Sequence, residues 1–450
     1  MVDKLMYINT QINGIVWGKY MLCFLLLTGI FLNIRTGFFS FYKLGLIYRT
    51  TIGSLFQKKK KGSGVTSFQA VSTALAGTLG VGSVIGVTTA LTLGGAGSLF
   101  WMWVSALLGM IIKYAEVVLA IHFRKKIDEN TYVGGPMTTL EYGCRMPFLG
   151  IVFSLFCIFA SFGIGNLTPA NTIAHTVQEY LPIDPLWIGV ATAIIIATII
   201  LGKSQKIMKV NEITIPVVSI LYIVACVYLL IQHADGLPQA ISSIFQEAFT
   251  FSSGVGGVAG YGVTRAMHYG ISRGVFSNEA GMGSAPIAHA SVVDVHPVEQ
   301  GFWGIFEVFF DTIIVCTITG LVVLTSGLMN SGMEGVALSV ACFSQGFGDF
   351  GGMLFAFSIV SFAIPSIIGW YYYASECIRY LFQTPLMLKV YQVLFLLLLI
   401  VGACMELEYA WEIADTLNGL MSIPNLLSLI ILQKVVVKLT KEYMQTHRSG

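Results

Sequence analysis

Long apolar runs dominate this sequence and constrain its fold more than any other feature. Runs of about 20 residues are long enough to cross a bilayer as helices, and eleven can be marked: 16–35, 66–96, 98–123, 149–177, 185–202, 212–232, 254–290, 301–326, 350–380, 388–405 and 410–433. Only 11% of the 450 residues are charged, whereas a soluble domain carries roughly 25%. Lipid offers backbone amides no hydrogen-bond partner, so the runs are predicted to be helices. The sequence therefore predicts an all-α polytopic membrane protein with eleven transmembrane helices in the lipid bilayer, and it excludes secreted, disordered and nucleic-acid-binding proteins.

Lysine and arginine residues are concentrated in alternate loops between these runs. Twenty of the 25 basic residues follow the first, third, fifth, ninth and eleventh runs, and the loops near 233–250, 327–349 and 406–409 have none. Cytoplasmic loops are the ones that accumulate positive charge. The pattern predicts a multi-pass protein of the cell membrane with its N-terminus outside and its C-terminus in the cytoplasm.

Two of the runs are unusually rich in glycine. Residues 64–97 contain eight glycines and residues 254–283 contain nine. Glycine weakens a helix and lets its backbone approach a ligand closely. If the first run is set aside, ten runs remain, and the two glycine-rich runs are the first of each half of five. Because each half has an odd number of helices, the two halves must cross the membrane in opposite orientations. Paired weak helices in inverted halves indicate the midplane substrate site of a secondary transporter, while close helix packing is the alternative role for the glycines.

The five-plus-five division predicts the organisation of the chain. The predicted units are an N-terminal segment with a first helix and a basic cytoplasmic loop (1–62), a first repeat (63–240), a second, inverted repeat (241–440) and a cytoplasmic tail (441–450). A weak internal similarity relates GVGSVIG at 80–86 to GVGGVAG at 254–260.

A broken helix can bind an amino-acid zwitterion and a sodium ion without a full protein charge. The substrate carboxylate suits the free amides of a half-helix N-terminus, and carbonyls released by unwinding suit the ammonium group or sodium. The string ALAGTLGVGS at 74–83 adds the hydroxyls of Thr78 and Ser83 to such carbonyls, and RGVFSNEAGMGSAP at 273–286 adds Ser277, Asn278 and Glu279.

Several charged residues lie inside the predicted helices. Lys113 and Glu116 are three residues apart and are predicted to pair on one helix face. Glu307, Asp311 and Glu376 are predicted to serve packing or interfaces.

The second glycine-rich run adds further charged and titratable residues. Arg265, Arg273 and Glu279 suit structural pairing or gating, with a direct substrate or ion role as the alternative. No metal site is predicted at His289 and His296, because no further ligand spacing is present. No disulfide framework is predicted from the eight cysteines.

Longer motifs carry a resemblance to a known family. They are ALAGTLGVGSVIGV (74–87), GGPM (134–137), GIGNL (163–167), RGVFSNEAGMGSAPIAHA (273–290), HPVEQG (296–301), DTIIVCTITGL (311–321) and GWYYY (369–373). The chain resembles the alanine or glycine:cation symporter family, also called sodium:alanine symporters, over about residues 14–440. The resemblance implies a peripheral first helix followed by the leucine-transporter-type five-plus-five inverted repeat of the APC superfamily.

The resemblance also implies a function and a site. It implies sodium-coupled import of alanine or glycine by alternating access, with no enzyme activity and no cofactor besides Na⁺ as the coupling ion. The positions that match the family's substrate contacts are Ala76, Gly77, Thr78, Gly80, Phe276, Ser277, Asn278 and Trp370. The sodium ion is expected to stabilise the unwound second run through Thr78 and Ser83, against Ser366 of the ninth run.

The chain departs from the family pattern at several of these places. Ser83 stands where asparagine is usual, Pro169 where glutamine is usual, Pro365-Ser366 where a threonine pair is usual, and Ser375 where glutamate is usual. Glutamine to proline removes a side-chain amide, and threonine to proline removes a hydroxyl. These departures motivate the alternative of the same fold with a different small amino acid or amine, or with proton coupling. A membrane enzyme or a channel is disfavoured, since HExxH and repeated filter-like segments are absent, and a regulatory sensor is disfavoured by the short tail.

Overall fold

The structure is a computed structural model that describes residues 2–56, 64–80, 82–128, 131–202, 204–249, 259–405 and 407–446. The helices are α1 (Val2–Val16), α2 (Lys19–Thr36), α3 (Phe39–Tyr42), α4 (Leu44–Thr50), α5 (Ile52–Leu55), α6 (Ser67–Thr78), α7 (Val87–Gly94), α8 (Gly97–His122), α9 (Pro136–Thr138), α10 (Pro147–Phe162), α11 (Thr168–Gln178), α12 (Pro185–Ile200), α13 (Ser204–Gln232), α14 (Leu237–Phe249), α15 (Ala259–Asn278), α16 (Ala285–His289), α17 (Pro297–Val308), α18 (Thr317–Thr325), α19 (Gly335–Phe347), α20 (Asp349–Phe382), α21 (Pro385–Cys404), α22 (Leu407–Ile431) and α23 (Gln433–Thr446). Strands β1 (Lys125–Asp128) and β2 (Thr131–Val133) form an antiparallel hairpin. The π-helical segments are Gly82–Gly86, Thr139–Gly143, Gly163–Leu167 and Phe309–Cys316, and Ala234–Gly236 is a 3₁₀ turn.

The described part of the chain contains seven helices that are long and apolar enough to cross a membrane, or up to nine if each of two bent pairs is one span. This supports a mostly helical, multi-pass membrane protein. The count of eleven is not confirmed: the run 185–202 forms α12, a helix of 16 residues, and residues 254–258 of the seventh run lie outside the described residues.

Local sequence signals explain where several helices begin. Proline is the first residue of α10, α12, α17 and α21, where its fixed φ suits a helix and its missing N–H is not needed. Thr66 caps α6: its side chain accepts from the backbone of Gln69, and the Gln69 side chain accepts from the backbone of Thr66. Asp184 caps α12 by accepting from the backbone of Leu186. These signals fix the helix starts independently of the surrounding membrane.

Both glycine-rich runs are interrupted helices in the structure. The first bends by 50° between α6 and the segment that begins at Gly82, and the second ends at Asn278, turns over 279–284 and resumes as α16. The turn places Glu279, Gly281 and Gly283 at positive φ, a conformation that glycine adopts without strain. The segment GVGGVAG at 254–260, which is similar to GVGSVIG at 80–86, lies mostly outside the described residues.

Several elements were not foreseen from the sequence. The loop near 233–250 contains α14, and the loop near 327–349 contains α19. Strands β1 and β2 lie in the loop after the third run, and α1 precedes the first. These helices and strands are shorter than a membrane-spanning run, so the length of apolar runs does not predict them.

Helix α8 is a central packing element, and glycine lets α15 approach it closely. A Cβ added to Gly270 of α15 would meet the carbonyl oxygen of Ser98 and would lie 2.7 Å from Cβ of Trp101. A Cβ on Gly274, one turn later, would lie 2.5 Å from the Ser105 hydroxyl. Gly270 and Gly274 thus serve close packing of small residues, the alternative considered from the sequence, whereas Gly281 and Gly283 serve the turn.

We expect Gly270→Ala to destabilise the protein by about 1–3 kcal/mol, the usual range for overpacking. The reason is that the new methyl group meets the backbone of α8, which cannot rotate away. Gly45→Ala is the matched control, since an added Cβ there meets nothing within 4 Å and alanine favours the helix. Thermal unfolding of the purified protein measures both. Equal midpoints for the two variants would contradict the tight α8–α15 contact.

Candidate functional site

A small cavity lies where the break after α6 meets α15, α20 and the π-helical segment that joins α10 to α11. Its lining residues are Gly77, Thr78, Gly82, Ile164, Thr168, Pro169, Phe276 and Ser366. The volume open to the centre of a water molecule is about 20 Å³, and a single water needs roughly 10–15 Å³ on this measure. The cavity therefore has room for a water molecule or a small ion.

Most of the predicted substrate residues lie at or beside this cavity. Gly77, Thr78 and Phe276 line it. Gly80 adjoins it, because a Cβ there would lie 3.7 Å from Cβ of Ser366. Ala76 is one position too early to line it, and its methyl group faces Gly369 of α20.

Trp370 is buried beside the cavity but does not line it. Gly165 leaves the space that the indole occupies, since a Cβ at Gly165 would collide with Cβ of Trp370. The ring packs edge-on against Tyr373 at 5.5 Å between centroids. Its Nε1 has no hydrogen-bond partner among the described residues, so it is a buried donor that could bind a polar group if the side chain turned toward the cavity.

A second polar cluster adjoins the same helix break. Asp311, in the π-helical segment of α17–α18, is fully buried. The Ser83 hydroxyl lies 2.5 Å from its Oδ1, the Ser277 hydroxyl lies 3.0 and 2.9 Å from its two oxygens, and the Thr312 hydroxyl lies 2.8 Å from Oδ2. Asn278 donates from Nδ2 to the Thr312 hydroxyl at 3.0 Å. The cluster joins the first broken helix to the second and to α17–α18.

Asp311, predicted from the sequence to serve packing or an interface, accepts hydrogen bonds from three hydroxyl groups in the structure. In the described residues no lysine, arginine or histidine forms an ion pair with it. An unpaired carboxylate inside a membrane helix normally marks a functional site. That rule, applied to the aspartate at the start of DTIIVCTITGL, makes Asp311 a candidate functional residue.

The predicted sodium ligands divide between the cavity and this cluster. Thr78 and Ser366 line the cavity, while the Ser83 hydroxyl points to Asp311. The Ser83 hydroxyl also lies 3.1 Å from the carbonyl oxygen of Thr78, which connects the two places. Within the described residues the Ser366 hydroxyl makes no hydrogen bond to the protein.

Two of the departures from the family pattern are at the cavity. Pro169 lines it and supplies an apolar wall where an amide would be polar. Pro365 lies inside α20 directly before Ser366, and it provides no N–H for the carbonyl four residues earlier. Ser375 donates instead to the carbonyl oxygen of Tyr372 at 2.8 Å, away from the cavity.

The predicted pairing of Lys113 with Glu116 is wrong. Lys113 Nζ lies 3.3 Å from Oε1 of Glu307 on α17, and Glu116 Oε1 accepts from Nδ2 of Asn425 at 2.5 Å. A direct interhelical contact is available to lysine inside this tightly packed bundle, and it prevails over the weak preference for a neighbour three residues along the helix.

The remaining charged residues of α15 and α16 have structural partners. Arg273 forms an ion pair with Asp415 of α22 at 3.1 Å, and its guanidinium lies 5.6 Å from the ring centroid of Phe276. His289 contacts Glu307 at 3.2 Å. In the described part of the chain no group of histidine, cysteine, aspartate or glutamate residues could hold a metal ion.

Comparison with known proteins identifies relatives over the full length of the chain. Residues 2–450 match the sodium:alanine symporter family. The sodium/alanine symporter AgcS of Methanococcus maripaludis is 41% identical and is covered over 99% of its length by 100% of this chain. The probable sodium/glutamine symporter GlnT of Bacillus subtilis is 32% identical, with 97% of this chain covering 90% of it.

Solved structures share the fold at low sequence identity. The crystal structure of MhsT in complex with L-phenylalanine has a TM-score of 0.59 and 15% identity, with 85% of this chain and 99% of that chain covered. At this identity the likeness shows the fold alone, which is that of leucine-transporter-type proteins. The match to this family supports sodium-coupled amino-acid symport, and the family consists of transporters rather than enzymes. The chain is a member of the sodium:alanine symporter family.

Proposed function

We propose that this protein imports small neutral amino acids, alanine or glycine, together with sodium by alternating access. The observation that carries the proposal is the break between α6 and α7, where Thr78 lines a cavity while Ser83, five residues later, contacts a buried carboxylate. Backbone polar groups and a negative charge thus meet at one place inside the membrane. That combination suits a zwitterion and a monovalent cation.

Asp311 supports a cation as the coupling ligand. Its described partners are neutral hydroxyl groups, so its charge has no counter-charge among the described residues. The Ser83 hydroxyl can donate one hydrogen bond, and its contact with Asp311 (2.5 Å) is shorter than its contact with the Thr78 carbonyl oxygen (3.1 Å). We therefore assign the donated hydrogen bond to Asp311, which leaves the Thr78 carbonyl oxygen available to bind an ion. Sodium near Thr78, Ser83 and Ser366 would offset the carboxylate and hold α6 against α20.

The cavity wall supports a small substrate. Ile164, Pro169 and Phe276 present apolar surface, which suits a hydrogen or a methyl side chain. The proposed contacts are Ala76, Gly77, Thr78 and Gly80 of the first broken helix, Phe276, Ser277 and Asn278 of the second, and Trp370 of α20. Because the closed cavity holds little more than a water molecule, substrate entry requires the broken helices to move apart.

The proposed architecture is eleven transmembrane helices, with a peripheral first helix and a five-plus-five inverted repeat. The proposed units are 1–62, 63–240, 241–440 and 441–450, with the N-terminus outside and the C-terminus in the cytoplasm. The two interrupted helices, which open the two repeats, support this arrangement. Ion and substrate would bind on opposite sides of one helix break, so the affinity for each would depend on the other.

A second candidate keeps the fold and changes the ligand. Pro169 replaces an amide and Ser83 replaces a longer polar side chain, so a different small amino acid or amine, or proton coupling at Asp311, is the alternative. A panel of amino acids and amines, competing for uptake at fixed sodium and at fixed proton gradients, separates these possibilities.

In proteoliposomes, uptake of labelled alanine or glycine is expected to rise with an inward sodium gradient. The physical reason is that the ion stabilises the same closed state as the substrate. Choline in place of sodium is the control for ionic strength. Uptake that is indifferent to sodium over a wide concentration range would contradict the coupling.

Asp311→Asn is expected to weaken the apparent sodium affinity roughly tenfold or more, since interactions with a charged group contribute about 1.5–3 kcal/mol. The asparagine keeps hydrogen-bonding capacity but removes the charge. Asp184→Asn is the control. Aspartate and asparagine cap a helix about equally well, so this variant removes a carboxylate without removing the cap of α12. Sodium titration of uptake measures the effect, and an unchanged affinity would remove Asp311 from the ion site.

Ser366→Ala is expected to weaken the apparent sodium affinity about fivefold, the equivalent of roughly 1 kcal/mol for one polar contact. Ser358→Ala, two turns earlier on α20, is the matched control because its hydroxyl donates to its own helix at the Leu354 carbonyl. If both variants behave alike, the cavity hydroxyl is not an ion ligand.

A further inference from the structure

A network of charged side chains lies inside the helix bundle, apart from the cavity. Lys113 Nζ of α8 lies 3.3 Å from one oxygen of Glu307, and His289 Nε2 lies 3.2 Å from the other. Gln300 Nε2 lies 2.6 Å from Nδ1 of His289. The side chains of Lys113, His289 and Glu307 are all fully buried, so Glu307 already has its counter-charge.

Two further carboxyl groups share this space without a cation of their own. Glu116 Oε1 accepts from Asn425 Nδ2 of α22 at 2.5 Å, and its Oε2 has no partner among the described residues. One Glu279 oxygen accepts from the Ser284 hydroxyl, and Oε1 has no partner in the described structure. Both side chains are buried. Within the described residues, each carboxyl group therefore has one oxygen without a hydrogen-bond partner.

The charges in the network do not balance if every carboxyl group is ionised. Three carboxyl groups, those of Glu116, Glu279 and Glu307, share the space around the Lys113 ammonium group and the His289 imidazole, which both contact Glu307. The carboxyl groups therefore outnumber the groups that can carry a positive charge. An uncompensated negative charge in a membrane interior carries a large free-energy cost, which a proton on Glu116 removes.

In the part of the chain that the structure describes, the surroundings of Glu116 offer no counter-charge besides Lys113. Glu116 interacts electrostatically with Lys113 on its own helix and with Glu307 on α17. Glu279, in the turn 279–284, also interacts with Lys113. Helix α22 contributes Asn425, which does not titrate, and Tyr373 of α20 faces Glu279 and Glu307. Among the described residues, the positive charge that acts on Glu116 is that of Lys113, which also contacts Glu307.

Glu116 is connected to the turn that interrupts the second broken helix. The Asn425 amide that donates to Glu116 also donates to the carbonyl oxygen of Gly281 at 2.9 Å. Gly281 lies in the turn 279–284, which follows directly on Ser277 and Asn278. A movement of that turn changes the hydrogen bond to Glu116, and with it the relative stability of its neutral and ionised forms.

We propose that Glu116 is a proton-binding site of the transport cycle, separate from the coupling-ion site, and that it is loaded when the turn 279–284 closes. A proton from water forms an O–H bond at the carboxyl group on closure and returns to water on opening. No other bond changes. The linkage to turn closure rests on the proposed function, whereas the bound proton itself does not.

Infrared spectroscopy of the protein in liposomes tests for the proton directly. We expect the spectrum of wild type minus Glu116→Gln, recorded near neutral pH, to contain the C=O stretch of a protonated carboxyl group, shifted in D₂O. Glu442→Gln, which alters a surface residue beside Lys438, is the matched control and should lose ionised carboxylate absorption only. Loss of ionised carboxylate absorption in Glu116→Gln would overturn the proposal.

A second variant keeps the test decisive if Glu116→Gln does not fold. Asn425→Leu removes the donor to Glu116 Oε1, so the protonated-carboxyl band is expected to move to higher frequency in this variant. A band that stays in place would show that another residue carries the proton.

Linkage to transport is measured by titrating sodium, with L-alanine present, at increasing pH. If closure takes up one proton, the apparent sodium affinity of wild type weakens by up to tenfold per pH unit on the alkaline side, and Glu116→Gln removes this dependence. Wild type and variant with the same slope would overturn the linkage. Sodium-independent uptake combined with an intact infrared band would instead reject the proposed function and leave the proton site standing.

Discussion

The bilayer cannot satisfy backbone polar groups, and this constraint governs every interrupted helix in the structure. The breaks after Thr78 and Asn278 expose amides and carbonyls that lipid would leave unpaired. At the second break the protein satisfies them with its own side chains: Asn425 donates to the Gly281 carbonyl, and the Asn278 side chain accepts from the amide of Ala280. At the first break the Ser83 hydroxyl lies 3.1 Å from the Thr78 carbonyl oxygen but closer to Asp311. The second break therefore depends on polar side chains from its own turn and from α22.

This dependence explains which parts of the fold were accessible from the sequence. The glycine-rich stretches predicted both breaks, because glycine density is a local property of the chain. Length and hydropathy predicted most of the helices. The separate roles of individual glycines were not predictable, since Gly270 and Gly281 lie in the same run yet one meets the backbone of α8 and the other turns the chain. Only the position of a neighbouring helix distinguishes them.

The same reasoning applies to the candidate site. Thr78 and Phe276 could be placed at a cavity from motif position, because they flank the breaks. Trp370, which the family resemblance gives as a substrate contact, packs beside the cavity without lining it, because Gly165 in the segment 163–167 creates the space that it fills. The partners of Asp311 could not be predicted either, because nothing in its own helix shows that Ser83 and Ser277, from two different elements, converge on it. Pairing of buried charges is set by three-dimensional packing, as the contact of Lys113 with Glu307 rather than Glu116 shows.

Two polar systems thus meet on the same interrupted helix. Ser277 and Asn278 are connected to Asp311 and Thr312, while Gly281, three residues beyond Asn278, is connected through Asn425 to Glu116. The glycines at 281 and 283 give this short stretch freedom that a continuous helix lacks. A rearrangement that serves the Asp311 cluster consequently also changes the environment of Glu116. Energetic coupling between the two systems requires no long pathway, because the turn is a shared element whose conformation both of them bias.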